Sequence, residues 1–157
     1  KTTTTGFTFL WVTCTALVTR AQIGCTKPRP MKASMAATAH ACRAAGGQPN
    51  TESMLGVQDL NEDGGEDWIV DFAQLRCGSA ANPFCGSGGC RLQIYLWGGG
   101  LRWELAFDEV VHAMRMEDRG SGRVLIVQYG GSVCGKSNAQ TCPREYQVSR
   151  GSIAPIR

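Results

Sequence analysis

The sequence contains no C-x-x-C pair, only two histidines, no internal repeat and no apolar run long enough to cross a bilayer. Zinc sites bring cysteine pairs two to four residues apart or histidines beside them, so the missing pairs argue against zinc. A membrane-spanning helix needs about 20 consecutive apolar residues, and a solenoid needs a repeat. Charge of one sign is also scarce. The net charge is +3, with 18% charged residues, too little to mark a nucleic-acid-binding surface. No nucleic-acid partner is expected.

What is present is glycine, 20 residues, and cysteine, 8 residues, in a chain of 157 that is 43% hydrophobic. That length suits one domain able to bury a core. Eight cysteines in so short a chain, without metal spacing, predict disulfides and hence an oxidising compartment, periplasmic or secreted. The opening residues agree. Lys1 and four threonines precede an apolar stretch from Phe7 to Val18, then Thr19-Arg20-Ala21, in the manner of a secretory signal peptide. Residues 1–21 are read as that signal, 22–30 as a linker and 31–157 as one disulfide-stabilised domain. Gly24-Cys25 would end a lipobox and lipidate Cys25, giving a membrane partner, but Gln22 stands where Leu is usual. Gly6-Phe7-Thr8-Phe9-Leu10 would suit a pilin cleavage site, but Trp11 stands where Glu is usual.

Without Cys14, the six cysteines from Cys42 onward allow 15 pairings. The expected set is Cys134–Cys142 and Cys85–Cys90 as local loops, with Cys42–Cys77 tying a helix to a sheet.

Lys27-Pro28-Arg29-Pro30 reads as extended, because proline disfavours helix at itself and at the residue before it. Met31–Ala45 is alanine-rich and stops at Gly46-Gly47, a helix with a glycine C-cap and with Met35, Ala39 and Cys42 on one face. Strands follow over 56–60, 68–72 and 124–129, with a late one over 146–148. The clearest hairpin has Leu92, Ile94 and Leu96 alternating before Gly98-Gly99-Gly100, then Leu101, Trp103, Leu105 and Phe107 alternating after it. Residues 110–116 suit either a strand or a short helix. The expected class is α+β: one N-terminal helix packed on a mainly antiparallel sheet.

The strongest chemical signal is Asp59-Leu-Asn-Glu-Asp-Gly-Gly-Glu-Asp67. Asp59, Asn61, Asp63 and Asp67 stand at positions 1, 3, 5 and 9 of a calcium loop. Gly64 takes the turn at position 6, and Gly65 at position 7 offers its carbonyl. Three carboxylates held this close repel one another without a cation. Between Arg43 and Arg76 there are seven acidic residues and no basic one, so that segment carries −7 and the rest of the chain +10. Position 12 is Val70 rather than the bidentate Glu of an EF-hand. The expected cofactor is one structural calcium ion.

Gly130-Gly-Ser-Val-Cys-Gly-Lys136-Ser137 matches the P-loop pattern. Pro143 follows too soon for the required helix, Cys134 is expected to pair, and no nucleotide is expected. Ser87 lies in a tight cysteine-pinned loop rather than a nucleophile elbow. His112 beside Asp108 and Glu109 is the remaining acid–base candidate. Tyr95, Trp97 and Trp103 could present an aromatic patch to a protein or glycan.

The acidic loop resembles the D-x-[DN]-x-D-G-x-x-D loops of FG-GAP and dockerin-type proteins. Together with Cys85-Gly-Ser-Gly-Gly-Cys90 and Gly130-Gly-Ser-Val-Cys-Gly135, it also resembles a group of small exported bacterial proteins of unknown function, over roughly residues 38–150. That resemblance implies an exported single domain and supplies no catalytic residue. The expected function is a non-enzymatic, calcium-stabilised binding or structural module for an unknown protein or glycan. The alternatives are a small secreted hydrolase with structural calcium and a pilin-like surface assembly subunit.

Overall fold

The computed structural model describes residues 27–120, 122–137 and 140–156. The expectations for residues 1–26, including the export signal, Cys14 and Cys25, lie outside them. The described residues form one α-helix followed by nine strands in two antiparallel sheets, an α+β arrangement.

Helix α1 runs Arg29–Ala44, starting two residues earlier than the sequence suggests. The prolines that were expected to exclude helix instead begin it. Pro28 is the N-cap and Pro30 lies in the first turn, where a missing N–H has no intrahelical partner to lose. The C-terminus closes as a Schellman motif. Gly46, at φ +81°, donates its N–H to Arg43 O at 2.9 Å, and Gly47 donates to Cys42 O at 3.0 Å. The buried face carries Met31, Thr38 and Cys42, with Met35 packed beside them.

The first sheet contains β1 (Leu55–Gln58), β2 (Asp67–Asp71), β3 (Cys85–Gly86), β4 (Gly89–Trp97) and β5 (Trp103–Val111). Strand β4 is central, pairing with β2 and β3 on one side and β5 on the other. The second sheet runs in the order β6 (Ala113–Arg119), β7 (Gly122–Gly130), β8 (Thr141–Ser149) and β9 (Ser152–Pro155). The ambiguous stretch 110–116 is strand. Val110 and Val111 end β5, Ala113 starts β6, and His112 is the corner at which the chain passes between sheets, its N–H bonded to Gln128 O at 2.7 Å.

The side chains of β4 divide between two cores. Leu92, Ile94 and Leu96 face the second sheet and pack with Leu125, Val127, Tyr129, Cys142 and Val148. Tyr95 and Trp97 face the other way, where Trp68, Val70, Phe72 and Trp103 lie against Met31 and Cys42 of α1. The result is three layers: helix, five-stranded sheet, four-stranded sheet. Each fully buried Leu, Phe or Met is worth roughly 1.5–3 kcal/mol relative to exposure.

The hairpin departs from strict alternation in one place. Ile94 pairs with Phe107 and Tyr95 with Leu105, so Ala106 is an extra residue in β5. A one-residue bulge moves everything beyond it to the opposite face. Trp103 therefore packs under the helix layer, whereas Phe107 and Val111 enter the core between the sheets. Leu105 stays 47% exposed.

Strand β7 is central in its sheet, as its unbroken apolar run suggests. Val124 and Ile126 face away from the intersheet core, yet they are 1% and 2% exposed. They lie under a lattice of charged side chains. Arg119 binds Glu145 at 2.6 and 2.8 Å and Glu117 at 3.0 Å, and Arg115 binds Glu117 at 3.1 Å. The aliphatic stems of these residues cover the valine and isoleucine while their charges stay in water.

Among the described residues, three disulfides pair as expected: Cys42–Cys77, Cys85–Cys90 and Cys134–Cys142.

Candidate functional site: the acidic loop

The loop from Asp59 to Glu66 joins β1 to β2, two adjacent antiparallel strands. Its short polar side chains fold back onto its own backbone. Asn61 Oδ1 accepts from Asp63 N at 3.1 Å, Asp63 Oδ1 from Gly65 N at 2.9 Å, and Asp59 Oδ2 from Gly64 N at 3.0 Å. Gly64 turns at φ +83°, and Glu62 is the described non-glycine residue with positive φ, +59°. These bonds hold one oxygen of each carboxylate on the loop. Asp59 Oδ1 and the Asn61 amide nitrogen are buried and have no hydrogen-bond partner. A buried polar atom without a hydrogen-bond partner is uncommon.

Asp67 has a different place from the one its motif position suggests. It is 0% exposed, and both oxygens accept backbone N–H groups: Oδ2 from Leu60 at 2.8 Å and Oδ1 from Trp97 at 2.7 Å. It closes the loop on itself and fastens it to the end of β4. Burial pushes its pKa up to about 6, against the pull of those two N–H groups, and the nearby charges of Asp63 and Asp59 push the same way. Among the described residues, no three His, Cys, Asp or Glu side chains form a ready-made metal cluster. The oxygens left for a cation are those of Asp59, Asn61 and Asp63, the Gly65 carbonyl, and the second lone pairs of Asp67.

Neighbours that sequence reasoning missed hold the loop in place. Arg123 of β7 donates Nη1 to the Asp59 carbonyl and lies 2.8 Å from Asp118 and 3.4 Å from Glu62. Trp103 Nε1 donates to Glu66 O at 2.7 Å. Gly65 lies flat on the Trp97 ring, where a Cβ would come within 2.1 Å of the indole. Gly65→Ala should therefore dislodge the loop or the indole, at about 1–3 kcal/mol, the typical penalty of overpacking. Urea unfolding checks this, and an unchanged midpoint would mean that the indole moves freely. Only the positive-φ requirement at Gly64 was legible in advance, since each contact that reaches the loop joins residues more than 30 positions apart.

The other candidates do not converge. Asp108 is held by Arg91 at 2.7 and 2.6 Å and by Gln93 at 3.1 Å. Arg91 keeps its carboxyl below the usual range. His112 is exposed at the sheet corner. Gly131–Cys134 forms a 3-10 turn bound by Cys134–Cys142, and the chain goes on into β8 rather than into a helix. Tyr95 and Trp103 are core residues at 2% and 7% exposure, and Trp97 is tied up by Gly65 and Gly100, so the aromatic patch does not form.

No known protein family, curated protein or solved structure matches the chain.

Proposed function

We propose that the protein is an exported, non-enzymatic binding or structural module, periplasmic or secreted, whose loop 59–67 takes up one calcium ion. Asp59, Asn61, Asp63, the Gly65 carbonyl and Asp67 supply its oxygens. The observation that carries the reading is the buried, unpartnered Asp59 Oδ1 within a loop already turned by Gly64. Calcium takes six to eight oxygens at about 2.3–2.6 Å and accepts the mixture of carboxylate, amide and carbonyl found here, with water completing the shell. The ion offsets the repulsion among Asp59, Asp63 and Asp67 and lets Asp67 stay ionised where burial favours the proton. Its role is to fix the junction of loop, β4 and β7. The three disulfides among the described residues accord with this setting.

The test is thermal unfolding of the oxidised protein with calcium and with excess chelator. Free calcium at 100 times its dissociation constant should add about 2.7 kcal/mol. Asp63→Ala should lower the melting temperature in calcium and leave it nearly unchanged in chelator. No calcium-dependent shift in the wild type would reduce the loop to a self-bonded turn.

A further inference from the structure

The three disulfides among the described residues occupy different settings. Cys42 and Cys77 are 0% and 3% exposed within the helix-side core. Cys142 is 6% exposed in the intersheet core, and Cys134, though partly exposed, packs against that core. Cys85 and Cys90 belong to neither core, and both are partly exposed. They face each other across the β3–β4 pair, Cα atoms 4.1 Å apart. Strand β3 is two residues long, and the residues between the cysteines are Gly86, Ser87, Gly88 and Gly89. No apolar side chain inside this loop would keep the two sulfurs together once the bond opens.

The glycine-rich loop sets the thermodynamics of this bond. A disulfide is favoured over its two thiols to the extent that the fold holds the sulfurs together. A buried pair in a packed core is held tightly, and a glycine-rich hairpin relaxes into many conformations. Access acts in the same direction, because exchange needs a thiolate to reach a sulfur in line. Exposed disulfides with little behind them are the labile ones.

We propose that Cys85–Cys90 is a redox latch, opened by thiols in solution while the fold and the other two disulfides persist. A glutathione thiolate attacks one sulfur, the Cys85–Cys90 bond breaks, and the other cysteine leaves as a thiolate that takes up a proton. A second glutathione thiolate attacks the glutathione sulfur of the mixed disulfide and releases the first cysteine. The protein gains two electrons and two protons, and two glutathiones become one glutathione disulfide. Opening frees the hairpin tip from the seam between the sheets. There Gly89, at φ +115°, lies so close to Val111 O that a Cβ would come within 2.2 Å, and a Cβ on Gly130 would lie 3.5 Å from Gly88. It also loosens Phe84, which covers buried Phe72 at 4.9 Å between ring centroids.

The test equilibrates the oxidised full chain in graded glutathione buffers, quenches with acid, alkylates free thiols and maps them by peptide mass. Cys85 and Cys90 should be half labelled at a reduced-glutathione concentration at least about tenfold below that needed for Cys42, Cys77, Cys134 or Cys142. The tryptophan bands of the near-UV circular dichroism should be retained at that point. Another of these pairs opening first or together, or labelling of Cys85 and Cys90 only as near-UV dichroism collapses, would overturn the latch. The double variant Cys85→Ala, Cys90→Ala should still fold, with the other two pairs opening at unchanged glutathione. A variant that does not fold would make the bond structural and would equally overturn the proposal.

Discussion

Asp67→Asn is expected to destabilise the protein by about 2 kcal/mol at neutral pH, measured by urea unfolding in chelator. Asp67 is fully buried, and each of its oxygens accepts a backbone N–H, one from Leu60 and one from Trp97. Asparagine keeps one acceptor and turns an NH2 group toward the other amide, donor against donor. The pH dependence separates this effect from a general loss of packing. Burial raises the folded pKa of Asp67 to about 6 from an ordinary value of 3.8, so the folded chain holds that proton more tightly than the unfolded chain. The group's contribution to stability is complete below about pH 4 and is lost as pH rises through about 6. The whole span is about 3 kcal/mol at one pKa unit per 1.4 kcal/mol. Asparagine has no such slope, so the gap between wild type and variant should widen from pH 7 to pH 5. Calcium, by favouring the carboxylate, should flatten the wild-type slope. A variant as stable as wild type at both pH values would mean that the two amide bonds contribute nothing.

Features with a short-range cause were legible in the sequence. The glycines that close α1, the alternating hairpin, the apolar β7 and the two local disulfide loops, Cys85–Cys90 and Cys134–Cys142, follow from local periodicity, turn residues and cysteine spacing. The features that were not legible depend on distant partners. The run Leu101, Trp103, Leu105, Phe107 looks uniform, and only pairing with β4 shows that Ala106 bulges and sends Phe107 to the other core. One sheet was expected and two formed, because the chain changes sheet at His112 without a glycine or proline to mark the corner. The prolines before α1 suggest an extended segment in isolation, yet their position makes them the start of the helix. In the acidic loop the spacing indicated which residues share a turn. It could not indicate that Asp67 fastens the loop to Trp97, or that Arg123 reaches the Asp59 carbonyl from 64 positions away.

The other large effect is expected at Cys42–Cys77. The double variant Cys42→Ala, Cys77→Ala should lose about 4 kcal/mol, against about 2–3 kcal/mol for the equivalent change at either local disulfide. The ordering follows from loop size, with sequence separations of 35, 5 and 8 residues. Closing a longer loop removes more freedom from the unfolded chain. The native state adds to the difference. Helix α1 is attached to the sheet by a narrow face, Met31, Met35, Thr38 and Cys42, and by one hydrogen bond of 3.2 Å from Ser34 to Gln93. Without the tether, the C-terminal turn of α1 is held chiefly by its Schellman closure, so the helix should open as a unit below the global transition. Alanine is the correct replacement, because serine would bury an unpaired hydroxyl at a site 0% exposed. Two readouts check this. The urea midpoint should fall furthest for this pair, and hydrogen exchange across 31–44 should speed up while β4 and β7 stay protected. A loss no larger than that at Cys85–Cys90, with α1 still protected, would mean that packing alone secures the helix layer and that the long tether is redundant in the folded protein.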